Sequence, residues 1–254
     1  MRENRLKRQL ANGEVVIGPF MVCPSISLVE IIAMSGFDFL IVDMEHGPLS
    51  TETAQTLCAV AQGEGITPIV RVRKNDAPQI QRALDIASGG VQVPQIECAA
   101  DAEAVVRASK YQPLGMRGIS LYTRAGDYTV HGIKGYTDRL NEEQITVIHV
   151  EGRPGLENID EIIAVPYIDV VFLGPYDLSQ SFGIPGQIND PRVVKGMEEA
   201  AVKIRAAGKA VGTFADDVTA AKKWIDAGVQ YISLGVDVGI FAKACNELVS
   251  GVRG

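Results

Sequence analysis

The chain has 254 residues, 46% of them hydrophobic and 22% charged, proportions that exclude a disordered chain, a collagen-like repeat and a disulfide miniprotein. Its 24 basic and 31 acidic residues give a net charge of −7, which argues against a nucleic-acid or anionic-membrane surface because either calls for a basic excess. A small anionic substrate stays open, since the charge lining a site outweighs the global sum.

The start, MRENRLKRQLANGEV, is basic and lacks the apolar stretch of a secretory signal; it reads as a short surface helix ending at Gly13. Strands are then predicted at Val15–Phe20, Phe39–Asp43, Pro68–Val72, Gly90–Pro94, Ile145–Glu151, Asp169–Leu173, Ala210–Phe214 and Tyr231–Leu234. Their continuous apolar, β-branched character (FLIVD, PIVRV, ITVIHVE, DVVFL) suits strands buried on both faces, as a parallel sheet requires. Helical periodicity fills the gaps at Ser27–Ser35, Thr51–Gln62, Ala77–Ala87, Ala99–Ser109, Pro191–Ala207, Val218–Ala227 and Val238–Val249. Eight strands alternating with helices, about 32 residues per unit, predict a single-domain (β/α)8 TIM barrel over residues 1–254. An open doubly wound sheet is the competing architecture, but neither a G-x-G-x-x-G after the first strand nor a P-loop is present. The stretch Tyr111–Leu140 is too long and too rich in Gly, Tyr and Arg for one plain helix. As a long ordered loop it is expected to be functional and to lie over a strand's C-terminal end. Cys23, Cys58, Cys98 and Cys245 form no C-x-x-C pair and read as buried thiols in a reducing compartment. No run approaches the ~20 apolar residues of a membrane span, and a cytoplasmic location is expected.

Functional groups of such a barrel gather at the C-terminal ends of its strands, and the ionisable residues of this sequence do so. Strand two closes in Asp43-Met44-Glu45-His46-Gly47, strand three in Arg71 and Arg73, strand five in His149-Val150-Glu151-Gly152-Arg153, and strand six in Gly174-Pro175-Tyr176-Asp177-Leu178-Ser179. Glu151 and Asp177 end consecutive strands, whose axes lie ~4.8 Å apart. Two carboxylates that close raise each other's pKa unless a cation lies between them. With oxygen donors and no thiolate, a hard divalent ion (Mg²⁺, Mn²⁺ or Co²⁺) fits, leaving octahedral positions for water and a chelating substrate; a helix cap and a salt bridge are the structural alternative. His149 stands two residues before Glu151 and so shares its strand face, whereas His46 lies just past a strand end. Each could be a general base or a structural hydrogen-bonder. His131, in the long polar loop, reads as solvated. Arg71, inside an apolar run, needs either an oxyanion or a buried acid as partner. The GPYDLS turn offers backbone N–H groups to a carboxylate. A 2-oxo acid would chelate the cation through its carboxylate and keto oxygens, with Arg71 and the cation stabilising the enolate.

GFDFLIVDMEHGP, the VRV of strand three, RALDIA, GVQVPQI, YQPLGMRG with RAGDY, the VE of strand five, LGPYDLSQSFGIPG and GKAVGTF together resemble the HpcH/HpaI aldolases, metal-dependent class II pyruvate aldolases, over essentially the whole chain. The resemblance implies reversible cleavage of a 4-hydroxy-2-oxo acid to pyruvate and an aldehyde through a metal-bound pyruvate enolate. It implies that Glu151 and Asp177 bind the metal, that His46 is the acid/base group, and that Asp85 orients His46 and raises its basicity. Arg71 matches the enolate-stabilising residue, and Tyr176 and Asp177 match positions whose backbone amides hold the pyruvate carboxylate. It implies a homohexamer with exchanged C-terminal helices, with which the apolar Ile240–Val249 segment is compatible. Asp85 sits late in a helix that should run away from the active face, so it is expected to reach His46 across a subunit interface. His149 occupies a position where relatives often carry a substrate-contacting Gln and is expected to bind substrate. Arg73 and Ala87-Ser88-Gly89 also depart from the family pattern, which bears on aldehyde choice. The alternatives are an acyl-CoA lyase resembling citrate or malyl-CoA lyase, and a non-catalytic barrel binding a keto acid. No lysine lies inside a predicted strand, so a Schiff-base route has no candidate.

Overall fold

The computed structural model describes residues 3–254 apart from His131 and Ile133; the reading of His131 lies outside the described residues. Eight parallel strands, β1 (Val16–Met21), β2 (Phe39–Asp43), β3 (Thr67–Arg71), β4 (Gly90–Val93), β5 (Ile145–Val150), β6 (Val170–Leu173), β7 (Ala210–Ala215) and β8 (Tyr231–Val236), pair in sequence order and close on themselves, β8 against β1. The expected (β/α)8 TIM barrel is the observed fold. The predicted strands match within two residues at each end, and among the described residues no strand contains a lysine.

The helices are α1 (Arg5–Ala11), α2 (Ile26–Met34), α3 (Thr51–Gly63), α4 (Ala77–Asp85), α5 (Ala99–Ser109), α6 (Tyr136–Glu143), α7 (Arg153–Glu157), α8 (Ile159–Ala164), α9 (Pro175–Ser181), α10 (Pro191–Ala206), α11 (Val218–Asp226) and α12 (Asp237–Arg253). Several start where the sequence signals it: the Ser25, Ser50, Asp76 and Asp217 side chains accept a backbone N–H in the first turn of α2, α3, α4 and α11. The short helices α6 to α9 escaped the sequence reading because five to eight residues carry too little periodicity. No helix among the described residues is long and apolar enough to cross a membrane. All four cysteines are free, but only Cys58 is buried; the other three are partly exposed.

Inward-facing residues of the strands, including Val16, Phe20, Phe39, Ile41, Ile69, Val147, Phe172 and Tyr231, form one buried cluster inside the barrel, and a larger one fills the layer between strands and helices. The N-terminal helix is exposed on its outer face but does more than cover the surface. Leu6 of α1 is fully buried within the inner cluster, with Leu10 one turn on packed against it, so α1 plugs the N-terminal mouth. Asn4 anchors the plug: its side-chain amide donates to the carbonyls of Gly89 and Glu143 at 2.7 and 2.8 Å. Leu6→Ala is expected to lower unfolding stability by about 2–5 kcal/mol, read by denaturant melts; a change below ~1 kcal/mol would show the plug to be dispensable.

The segment from Tyr111 to Leu140 departs from expectation. It connects the C-terminus of α5 to the N-terminus of β5, so the chain enters and leaves it at the N-terminal face of the barrel, opposite the expected one. Helices run antiparallel to the strands, and a helix-to-strand connection therefore always lies at that face. A small core of Tyr111, Ala125, Tyr136 and Leu140 holds the segment together. Arg124 ties it to Gln62 of α3 and to the Ile86 carbonyl after α4. A cavity of about 660 Å³ opens beneath it, lined in part by Asn4, Thr67, Gly89 and Arg124; it lies at strand starts, at the opposite face from His46, Arg71, Glu151 and Asp177.

Candidate active site

The C-terminal face is organised around a buried ion pair. Asp43 and Arg71 are the last residues of β2 and β3 and stand directly opposite each other in the parallel register. Arg71 makes a two-pronged contact, Nε to Asp43 Oδ1 at 2.9 Å and Nη2 to Oδ2 at 2.7 Å, while Nη1 lies 3.1 Å from Glu45 Oε2. Its guanidinium rests on the Phe20 ring, 4.4 Å from the centroid. Asp43 Oδ1 also accepts the backbone N–H groups of Glu45 and His46 at 3.0 and 3.3 Å, which winds the loop after β2 around the carboxylate. Gly47 is required there, because a Cβ would meet the Asp43 carbonyl oxygen at 2.2 Å. Both sequence alternatives for Arg71 are thus compatible. It has its buried acid, and these contacts use three of its five N–H donors, leaving two for an oxyanion.

His46 stands exposed at the mouth, its Nε2 4.0 Å from Glu45 Oε2. Burial outweighs the attraction of Arg71 and, with the nearby carboxylates Glu151, Asp43 and Asp177, pushes the Glu45 carboxyl up to about 7, the range of a group that exchanges protons near neutrality. Arg73 extends along the surface, donating to the Met44 carbonyl.

Glu151 follows β5 and points into the same mouth. Its Oε1 accepts the Gln95 backbone N–H at 2.8 Å, and its Oε2 lies 2.8 Å from His149 Nδ1. Gln95 adopts a left-handed φ of 60°, an uncommon conformation for a non-glycine residue that turns its N–H toward the carboxylate. Burial by itself would raise the Glu151 carboxyl, but the His149 imidazole and the Gln95 N–H more than offset it, and the group is held below the usual range. Gly174, at the end of β6, makes room: a Cβ there would approach Glu151 Cβ to 2.8 Å and Oε2 to 3.0 Å. Asp177, in the first turn of α9, lies close enough to Glu151 that burial and the neighbouring charge both raise its carboxyl. Tyr176, one residue earlier, packs edge-on to Phe214, and its hydroxyl donates to Asp216 at 2.9 Å, bracing the start of α9 against the end of β7.

Of the predicted site residues, His46, Arg71, His149, Glu151, Tyr176 and Asp177 all lie at the C-terminal face. Asp85 does not join them within the chain. It is the last residue of α4, which runs back toward the N-terminal face, and it pairs with Arg117 at 2.7 Å. His149 is 1% exposed, and its Nδ1 and Nε2 face Glu151 and Gln92. Sequence reasoning passed over Asp43 and Glu45, although both stand in the quoted D-x-E-H motif; the signal was the alignment of Asp43 with Arg71 across adjacent strand ends.

Comparison with known proteins adds a second line. The profile of the HpcH/HpaI aldolase/citrate lyase family matches residues 17–244. The chain belongs to this family. It is 35% identical over 253 residues to a hydroxypyruvate/pyruvate aldolase of Pseudomonas aeruginosa, covering 99% of this chain and 93% of the relative. It is 33% identical over 249 residues to a 4-hydroxy-2-oxo-heptane-1,7-dioate aldolase of Shigella sonnei, covering 98% and 94%. A crystal structure of an HpcH/HpaI aldolase/citrate lyase family protein from Burkholderia cenocepacia J2315 superposes with a TM-score of 0.94 at 30% identity, covering 99% of this chain and 100% of the other. Such coverage means that the HpcH/HpaI barrel is present here from end to end.

Proposed function

We propose that this protein is a class II aldolase that reversibly cleaves a 4-hydroxy-2-oxo acid to pyruvate and an aldehyde. The observation that carries the reading is the convergence of Glu151 and Asp177 beside the Asp43–Arg71 pair and His46 at one barrel mouth, in a chain of this family.

Glu151 and Asp177 suit a hard divalent cation (Mg²⁺, Mn²⁺ or Co²⁺): both donate oxygen, and the mutual repulsion that raises Asp177 is what a cation would relieve. Among the described residues no group of three or more His, Cys, Asp or Glu side chains converges as a metal cage, so the fit rests on these two carboxylates, with water and substrate supplying the remaining oxygens. When bound, the cation would supply Lewis-acid polarisation of the keto oxygen. The residues do the rest. His46 removes the C4 hydroxyl proton; the C4–O bond becomes the aldehyde carbonyl, the C3–C4 bond breaks, and its electron pair passes through C2 onto the keto oxygen. The unused N–H groups of Arg71 face that developing oxyanion. Proton return to C3 releases pyruvate. The substrate carboxylate is received by the backbone N–H groups of Tyr176 and Asp177, which open α9 and have no acceptor within the helix.

The test is pyruvate release from 4-hydroxy-2-oxo acids, and carbon–carbon bond formation from pyruvate and a panel of aldehydes. Activity is expected to vanish with EDTA and return with Mg²⁺, Mn²⁺ or Co²⁺. Trapping of pyruvate on a lysine by borohydride would overturn the reading.

Assembly completes the site in this proposal. Ile240, Phe241, Leu248, Val249 and Val252 of α12 are all exposed, an apolar face suited to exchange between subunits of a hexamer, and Asp85 would reach the His46 of a neighbour. Asp85→Asn is expected to cut kcat about 10²–10⁴-fold without loss of cation affinity. Mixing Asp85→Asn with His46→Ala subunits should regain activity that neither variant has alone. Mixtures as inactive as their components would place Asp85 outside the catalytic unit.

A further inference from the structure

A line of buried polar groups runs through the barrel interior beneath Glu151, and the mechanism above does not use it. Tyr231 on β8, Gln92 on β4 and His149 on β5 are 0%, 0% and 1% exposed. The Tyr231 hydroxyl lies 3.1 Å from Gln92 Oε1, Gln92 Nε2 lies 2.6 Å from His149 Nε2, and His149 Nδ1 lies 2.8 Å from Glu151 Oε2. We infer that His149 is a positioning residue, held by this chain with Nδ1 on the Glu151 carboxylate and Nε2 on Gln92, so that it presents that carboxylate and does not itself grip the keto acid. The inference rests on the proposed reading of Glu151 as a cation ligand.

Each link is a hydrogen bond whichever way the Gln92 amide is turned: its NH2 would donate to His149 Nε2, and its carbonyl would accept from it. The Tyr231 hydroxyl can donate or accept to match. In either arrangement Nδ1 donates to Glu151 Oε2, because a bare Nδ1 lone pair cannot face a carboxylate at 2.8 Å. Packing allows the ring no alternative plane: Phe172 stacks on His149 at 4.4 Å and 17°, and Phe39 stacks on Tyr231 at 4.2 Å and 22°.

At the upper end, both Glu151 oxygens are engaged, Oε2 by His149 and Oε1 by the Gln95 N–H. The carboxylate is therefore fixed with its remaining lone pairs directed into the mouth. Both ring nitrogens of His149 are consumed in the chain, which leaves it no polar atom for substrate. This differs from the substrate-binding role that the family resemblance implies for this position.

Two measurements on the full-length protein test the inference. Nitrogen-15 NMR of the metal-free protein, with the His149 signals identified by their loss in His149→Gln, should show a proton on Nδ1 whose resonance shifts in Glu151→Gln. Titration of Mn²⁺ into metal-free protein by calorimetry should show Gln92→Leu, which removes two links without touching Glu151, binding about 10-fold more weakly, within the 10–100-fold usual for groups that orient a metal ligand. A wild-type ring without a proton on Nδ1 would overturn the inference whether or not any variant folds. So would unchanged Mn²⁺ affinity in a Gln92→Leu protein that unfolds with wild-type cooperativity. Equal Mn²⁺ affinity in wild type and Glu151→Gln would instead overturn the ligand assignment on which the inference stands.

Discussion

Glu151→Gln is expected to lower kcat/KM for pyruvate-forming cleavage by about 10³-fold or more, the several kcal/mol that a positioned cation contributes to a developing oxyanion. It should also abolish calorimetric Mn²⁺ binding. The geometry adds a second effect that volume alone would not suggest. Both Glu151 oxygens accept from donors, His149 Nδ1 and the Gln95 N–H, so a glutamine must turn its NH2 against one of them. The resulting buried donor–donor contact is expected to cost about 1–3 kcal/mol of stability, measurable in denaturant melts of the metal-free protein. Lost activity with intact Mn²⁺ binding would show that Glu151 acts by some route other than holding a cation.

Arg71→Lys is the complementary case, because it keeps the charge and removes the fork. A single ammonium cannot reproduce the paired contacts to Asp43, the contact to Glu45 and the two further N–H donors together. If it stays on the buried Asp43, nothing remains for the oxyanion; if it turns to the oxyanion, Asp43 is left with only the backbone N–H groups of Glu45 and His46. Turnover is expected to fall about 10²–10³-fold, the loss on removing an oxyanion donor, with Mn²⁺ affinity retained. Exchange of the pyruvate methyl protons, which needs the same enolate and no aldehyde, should fall in parallel. A variant that lost aldol cleavage but kept methyl-proton exchange would move Arg71 from the enolate to the aldehyde.

Much of this was legible in sequence because parallel strands leave a local record. FLIVD, PIVRV and ITVIHVE are apolar runs broken only where they end, and in a parallel barrel every such end lies on one face. His46, Arg71, Glu151 and Asp177 could therefore be gathered without knowing any distance between them. The two-residue period also placed His149 on the face of Glu151, and the contact between them is direct.

Other features depend on which strand lies beside which, or on where a connection emerges. The Tyr111–Leu140 segment was expected at the wrong mouth because loop length signals function but not side; only its position between helix and strand puts it at the N-terminal face. Leu6 and Leu10, four residues apart in a basic segment, look like the inner edge of a surface helix until the barrel provides a mouth to plug. Asp43 acquires its importance from the register that sets it opposite Arg71. The hydrogen bonds that direct His149 come from Gln92, 57 residues earlier, and through it from Tyr231, which stands 139 residues from Gln92. The sequence by itself determined which residues carry charge to the barrel mouth, since burial patterns are local. Tertiary structure alone decided what each charge is bonded to, since a hydrogen bond needs two groups within about 3 Å and closure of the barrel is what brings them there.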